Sequence, residues 1–69
     1  MTYTATGYSY VRNCLIQKIF SDPVDAICYA IEIIGEGDIN AGVLDSNNEF
    51  YDKDKWDVLW LPAARAASL

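Results

Sequence analysis

The sequence predicts an α+β fold, a small single domain in which one central helix packs on an antiparallel sheet. Three observations support this prediction. A helix start lies at Asp22 and Pro23, two short apolar runs joined by a turn follow the helix, and β-branched and aromatic residues fill the segment before it. The predicted order of elements is β-α-β-β, followed by an aromatic segment that is a strand or a helix. Such a mixture is typical of a helix that covers one face of an antiparallel sheet.

Residues 8–20 are interpreted as a strand or a pair of strands, because β-branched and aromatic residues are common there and the segment leads directly into the helix cap. The spacing of the larger apolar residues also fits a helix, and periodicity alone does not separate the two. Those residues are Tyr8, Val11, Leu15 and Ile19. The choice between strand and helix stays open at this stage.

Local signals define the helix that follows. Asp22 can cap it, Pro23 suits its first turn, and Asp25 can accept hydrogen bonds from the free amides of that turn. We expect the helix to run to about Ile34 and to stop at Gly35, because glycine commonly ends helices.

The apolar residues of this helix cover an arc of about 220° at roughly 100° per residue, which is wider than one sheet face requires. The main stripe contains Val24, Ile27, Cys28, Ile31 and Ile34. Ala26, Ala30 and Ile33 extend it, and we expect them to contact either the C-terminal segment or a second copy of the chain. The homodimer, with Ala26, Ala30 and Ile33 as the dimer contact, is the preferred interpretation, and it is expected to be two-fold symmetric.

Residues 39–44 and 49–51 are predicted to form a β-hairpin around a turn at residues 45–48, where Asn and Asp tolerate left-handed backbone. Residues 56–61 fit a strand or a helix, and Pro62 ends the element in either case.

A single domain is expected to span residues 1–69. Residues 1–6 and 63–69 are the parts of it that could fray.

Composition argues against several classes of protein. Histidine is absent and no cofactor or metal motif is complete, so we expect no enzyme, no cofactor and no metal site. Neither a signal peptide nor an apolar run long enough to span a bilayer is visible, which predicts a cytoplasmic protein without membrane contact. Cys14 and Cys28 lie in apolar runs and are expected to be reduced and buried.

The charge distribution is the feature that points towards function. Between residues 22 and 52 the chain contains eight carboxylates and no lysine or arginine, within a chain of net charge −5. A surface of this kind repels phosphate and attracts basic partners. We therefore expect binding to a protein with a basic surface and no direct binding to nucleic acid.

Three of these carboxylates, those of Asp25, Glu32 and Glu36, fall on one helix face with axial spacings of ~10 Å and ~6 Å, which resemble the spacing of phosphates along a nucleic-acid strand. Tyr29 lies in the same stripe and is a candidate interface anchor. The predicted partner-binding residues are Asp25, Tyr29, Glu32, Glu36, Asp38, Asp45, Glu49 and Asp52.

Together these features predict a small, acidic, non-enzymatic interaction protein. The preferred hypothesis is an inhibitor that occupies a basic, nucleic-acid-binding surface of its partner, as phage anti-restriction and anti-CRISPR proteins do. The alternative is a homodimeric structural or accessory protein whose acidic face only confers solubility.

Overall fold

The computed structural model describes residues 1–59, which form a four-stranded antiparallel sheet with a helix packed on one face. The elements in chain order are the strands β1 (Tyr3–Ser9) and β2 (Cys14–Phe20), the helix α1 (Pro23–Gly35), and the strands β3 (Gly42–Leu44) and β4 (Phe50–Tyr51). The strands lie in the order β2-β1-β3-β4 across the sheet. The predicted α+β class, with one helix on an antiparallel sheet, is confirmed.

The order along the chain is β-β-α-β-β, so the predicted β-α-β-β order lacks one strand. Of the alternatives left open for residues 8–20, the structure shows the pair of strands, with Asn13 at a φ of 55° in the turn between them. The first strand begins earlier than predicted, at Tyr3. Residues 3–6 are not frayed, because Thr4 pairs with Ile19 of β2 and with Leu44 of β3.

The centre of the sheet presents small residues to the helix. Ala5 and Ser9 of β1 are completely buried, and Gly7 lies between them. A Cβ atom on Gly7 would lie 2.7 Å from both Ile33 Cγ2 and Ala41 Cβ, much closer than van der Waals contact allows. The close approach of α1 to β1 therefore requires glycine at this position.

Both ends of α1 agree with the prediction. Asp22 is the N-cap, and its Oδ1 accepts a hydrogen bond of 2.8 Å from the Val24 amide. The helix ends at Gly35, and Gly37 follows with a φ of 116°, which an L side chain rarely adopts.

The buried face of α1 differs from the predicted one. It consists of Ala26, Ile27, Ala30 and Ile33, which pack against the sheet of the same chain. The prediction that Ala26, Ala30 and Ile33 form a dimer contact is therefore wrong, because the small residues of β1 let the sheet cover them. Cys28 and Ile31, which were assigned to the apolar stripe, face outwards instead, and 53% of Ile31 is exposed.

Both cysteines are free thiols on the surface. Cys14 begins the edge strand β2, and Cys28 lies on the outer face of α1, so neither is covered by the core. The prediction that they are buried is wrong, because an apolar run in the sequence does not show which face of an element its members occupy.

The β3–β4 hairpin has the predicted turn but shorter strands, since residues 39–41 belong to the loop that precedes β3. Residues 56–61 were predicted to be a strand or a helix, and the structure shows residues 56–59 as helix. Trp56 Nε1 donates a hydrogen bond of 2.9 Å to the carbonyl oxygen of Tyr51, and Leu59 is buried in the main core cluster. The predictions for residues 60–69 lie outside the described residues.

The substitution Gly7→Ala tests the helix–strand contact. We expect it to lower the free energy of unfolding by about 1–3 kcal/mol, because the added methyl group overpacks the contact with Ile33 and Ala41. Urea denaturation followed by circular dichroism measures the change.

The matched control is Gly35→Ala, in the last position of α1, where an added Cβ meets no atom within 4 Å. It should leave stability unchanged or raise it by up to about 1 kcal/mol. Equal stabilities of the two variants would contradict the packing described for Gly7.

Candidate interaction surface

The side chain and the backbone carbonyl of Glu36 both form contacts inside the fold. Its Oε1 accepts a 2.9 Å hydrogen bond from Arg12 Nε in an ion pair, and its backbone carbonyl accepts one of 3.1 Å from the Tyr10 amide. Its Oε2 is buried and has no hydrogen-bond partner among residues 1–59. These contacts join the β1–β2 turn to the end of α1, so Glu36 does not belong to a free acidic face.

Asp38 also forms contacts inside the fold. Its Oδ2 accepts a hydrogen bond of 2.7 Å from the Tyr8 amide, and its Oδ1 accepts one of 2.9 Å from the Asn40 amide. Tyr8 lies on β1 beyond the residues that pair with β3. The carboxylate thus supplies the acceptor that a neighbouring strand would otherwise provide for this amide.

Asp45 organises the β3–β4 turn. Its Oδ1 accepts hydrogen bonds from the amides of Asn47 (2.8 Å) and Glu49 (3.0 Å), and its Oδ2 accepts one of 3.1 Å from the Tyr51 hydroxyl. The hydrogen bond from the Glu49 amide is the main reason why the pKa of Asp45 lies below its usual value. The hydrogen bond to Asp45, with desolvation and the nearby negative charges, raises the pKa of Tyr51 to about 12.

The remaining hairpin acids are engaged less strongly. Glu49 is exposed, and its Oε2 lies 3.4 Å from the Tyr51 hydroxyl, a long hydrogen bond. Asp52 is half-buried, and its Oδ1 accepts a hydrogen bond of 3.1 Å from the Asp54 amide.

Asp25 and Glu32 are the free carboxylates of α1. Both are exposed, and neither side chain forms a hydrogen bond or an ion pair within the described part of the chain. They lie two helical turns apart, about 10 Å along the axis. The exposed side chains of Cys28 and Ile31 lie between them in the sequence, and these four residues form what we call the outer face of α1.

Tyr29 is not the centre of this face. It is half-buried, its ring centroid lies 5.6 Å from that of Phe20, and Lys18 Nζ lies 5.2 Å from its ring centroid. It therefore packs on the side of α1 that faces β2. The ring thus packs against β2 in part, and contact between Tyr29 and a partner stays a prediction.

Strand register places six of the eight carboxylates between residues 22 and 52 at two ends of the molecule. Because β2 ends opposite Tyr3 and β3 ends opposite Thr4, the start of α1 and the β3–β4 turn lie at one end of the sheet. That end carries Asp22, Asp25, Asp45 and Glu49. Glu36 and Asp38 lie at the opposite end, beside the β1–β2 turn. The eight carboxylates are therefore not one continuous surface.

The described residues contain no group of three or more metal-binding side chains in a suitable arrangement. In the same part of the chain, no helix combines the length and apolar character that a membrane crossing needs. A shallow surface pocket is lined by Ile39, Asn40, Phe50, Asp52, Lys53 and Asp54. Its charges are mixed, so it does not extend the acidic surface.

Comparison of the chain with protein-family models, with curated proteins and with solved structures found no match.

Titration of Tyr51 tests the turn geometry. The difference in ultraviolet absorbance between wild type and Tyr51→Phe should show a phenol that ionises at about pH 12. Folding favours the protonated phenol of Tyr51. Its stabilising effect is therefore complete below the ordinary pKa of about 10, and it is lost as the pH rises from there through the folded-state pKa of about 12. Circular dichroism of the same samples establishes where the fold remains intact.

The control for this titration is Asp45→Asn, which keeps an acceptor but removes the charge beside the hydroxyl. In that background the pKa of Tyr51 should fall towards its ordinary value. A wild-type difference curve with its midpoint near pH 10 in the folded protein would contradict the hydrogen bond.

Proposed function

We propose that this chain is a small, acidic, non-enzymatic interaction protein that occupies a basic, nucleic-acid-binding surface of a partner protein, as phage anti-restriction and anti-CRISPR proteins do. The observation that supports the proposal is the outer face of α1. It presents the carboxylates of Asp25 and Glu32 to solvent, and neither forms an ion pair within residues 1–59.

The spacing of these two charges suits a surface that binds phosphates. Asp25 and Glu32 are separated by about 10 Å along the helix axis, which is comparable with distances between phosphates along a nucleic-acid strand. A helix also holds the two charges at a fixed spacing before binding, which lowers the entropy lost on association. Lysine or arginine side chains that normally contact phosphates can pair with them.

The same face carries apolar area as well as charge. Ile31 is 53% exposed, and the Cys28 thiol is exposed beside it. Protein interfaces combine apolar area with polar groups, and this face contains both. Ile31 is therefore the apolar contact that we assign to this face.

Charge reversal on this face tests the proposal. Asp25→Lys combined with Glu32→Lys changes the net charge of −5 by four units. The matched control combines Asp54→Lys with Asp57→Lys, which makes the same change at two other exposed positions. Immobilised wild-type protein captures basic nucleic-acid-binding proteins from an extract of its host, and calorimetry then measures the affinity of each variant for a purified captured protein.

We expect the reversal on α1 to weaken binding by more than tenfold, because like charges placed face to face cost several kcal/mol. The control should change the affinity by less than about threefold, since exposed charges away from an interface contribute little. Wild-type binding should also weaken with salt, and added duplex DNA or RNA should displace the protein.

Equal affinities of the two double variants would contradict the proposal. In that case the carboxylates of α1 would only confer solubility, and the structural or accessory alternative would be favoured.

A further inference from the structure

Strand β2 lies at an edge of the sheet that residues 1–59 form. It pairs with β1 on one side, and no strand of residues 1–59 lies on its other side. Proteins usually protect such an edge with proline, a bulge, several charges or a very short strand. β2 is seven residues long, contains no proline, and carries Lys18 as its one charged side chain. The Nζ of Lys18 lies over the rings of Phe20 and Tyr29, so this charge does not project freely from the strand.

The same strand exposes large apolar side chains on the sheet face opposite α1. Leu15 and Ile19 are 63% and 68% exposed, whereas Ile16 faces the helix and is buried. Gln17 lies between the two exposed side chains on the same face. An exposed edge with apolar side chains is a template for pairing with another strand.

Charge indicates which strand fits this edge. The chain contains ten carboxylates and has a net charge of −5, so most contacts between two copies would bring negative charges together. The segment Cys14–Phe20 contains none of these carboxylates. It is therefore a surface through which two copies can associate without repulsion between carboxylates.

We propose that β2 pairs in antiparallel orientation with β2 of a second copy of this chain, across a two-fold axis at Gln17. All seven residues overlap when Gln17 lies opposite its own equivalent, and residues on the same face then meet. In this register Leu15 lies opposite Ile19 of the second copy, and the reverse pair forms on the other side of the axis. The result is one continuous sheet of eight strands.

The pattern of β2 is self-complementary in this register, which is why a second copy is preferred to an unrelated peptide. Each large apolar side chain of the open face meets an apolar side chain, and glutamine meets glutamine. Lys18 lies opposite Ile16 and not opposite another lysine. The pairing of one strand edge makes a small interface, so we expect a dimer that depends on protein concentration.

Sedimentation equilibrium of the full chain between about 10 µM and 1 mM tests the proposal. The mass should rise towards twice 7.7 kDa with concentration. Ile19→Lys should raise the dissociation constant more than tenfold, because it places an ammonium group against Leu15 of the second copy. The matched control is Ile39→Lys, in a loop residue that is 66% exposed, and it should leave the dimer unchanged.

A charge-complementary variant tests the register. Combining Leu15→Glu with Ile19→Lys places a carboxylate opposite an ammonium group at both ends of the pair, so dimerisation should recover relative to Ile19→Lys alone. Combining Leu15→Lys with Ile19→Lys should leave the chain monomeric. If the double variant with opposite charges is no better than Ile19→Lys, the proposed register is wrong.

Amide hydrogen exchange on the same samples distinguishes other occupants of the edge. A dimer through β2 requires its outward amides to exchange more slowly as the concentration rises. A chain that stays monomeric at 1 mM overturns the proposal. In that case slow exchange of these amides would indicate that residues 60–69 cover the edge, and fast exchange would indicate an edge open to a different chain.

Discussion

The close approach of α1 to β1 at Gly7 is the contact on which the rest of this structure depends. Because Gly7 has no side chain, Ile33 and Ala41 can lie against the strand. The helix then turns its small residues, Ala26 and Ala30, towards the sheet and buries them inside a single chain. The opposite face of the helix, with Asp25 and Glu32, is left to solvent.

Five carboxylates of this chain fall into two groups. Asp38 and Asp45 accept hydrogen bonds from backbone amides in loops, and Glu36 pairs with Arg12, so these three stabilise the connections between elements. Asp25 and Glu32 form no such contacts within residues 1–59. The density of acids in the sequence therefore overstates the surface that a partner could bind, because some of these carboxylates are used in contacts inside the fold.

Features that depend on neighbouring residues were predictable from the sequence. The cap at Asp22, the end of α1 at Gly35 and the turn after β3 each follow from the conformational preferences of the residues that form them. The beginning of β1 was not predictable in this way. In this part of the strand, threonines alternate with small residues, which gives no clear apolar pattern. The strand conformation of these residues depends on pairing with β2 and β3.

The candidate site was predictable only in part, for a related reason. Hydropathy favours Cys28 and Ile31 over alanine as buried residues, but the small residues of β1 select the alanine face of the helix. The hydrogen bond that Asp38 accepts from the Tyr8 amide was also not predictable, because Tyr8 is 30 residues away in the sequence. Exposure of Asp25 and Glu32 was predicted correctly, since charged residues on a helix surface are rarely buried without partners.

The division of the carboxylates into structural and free groups is the central claim, and a comparison of Asp38→Ala with Glu32→Ala by urea denaturation tests it most directly. Loss of the Asp38 carboxylate leaves the amides of Tyr8 and Asn40 without their acceptors, so the free energy of unfolding should fall by about 1–3 kcal/mol. Glu32→Ala should change it by less than about 0.5 kcal/mol, because the side chain is exposed and alanine favours helix. Equal effects of the two substitutions would contradict the division.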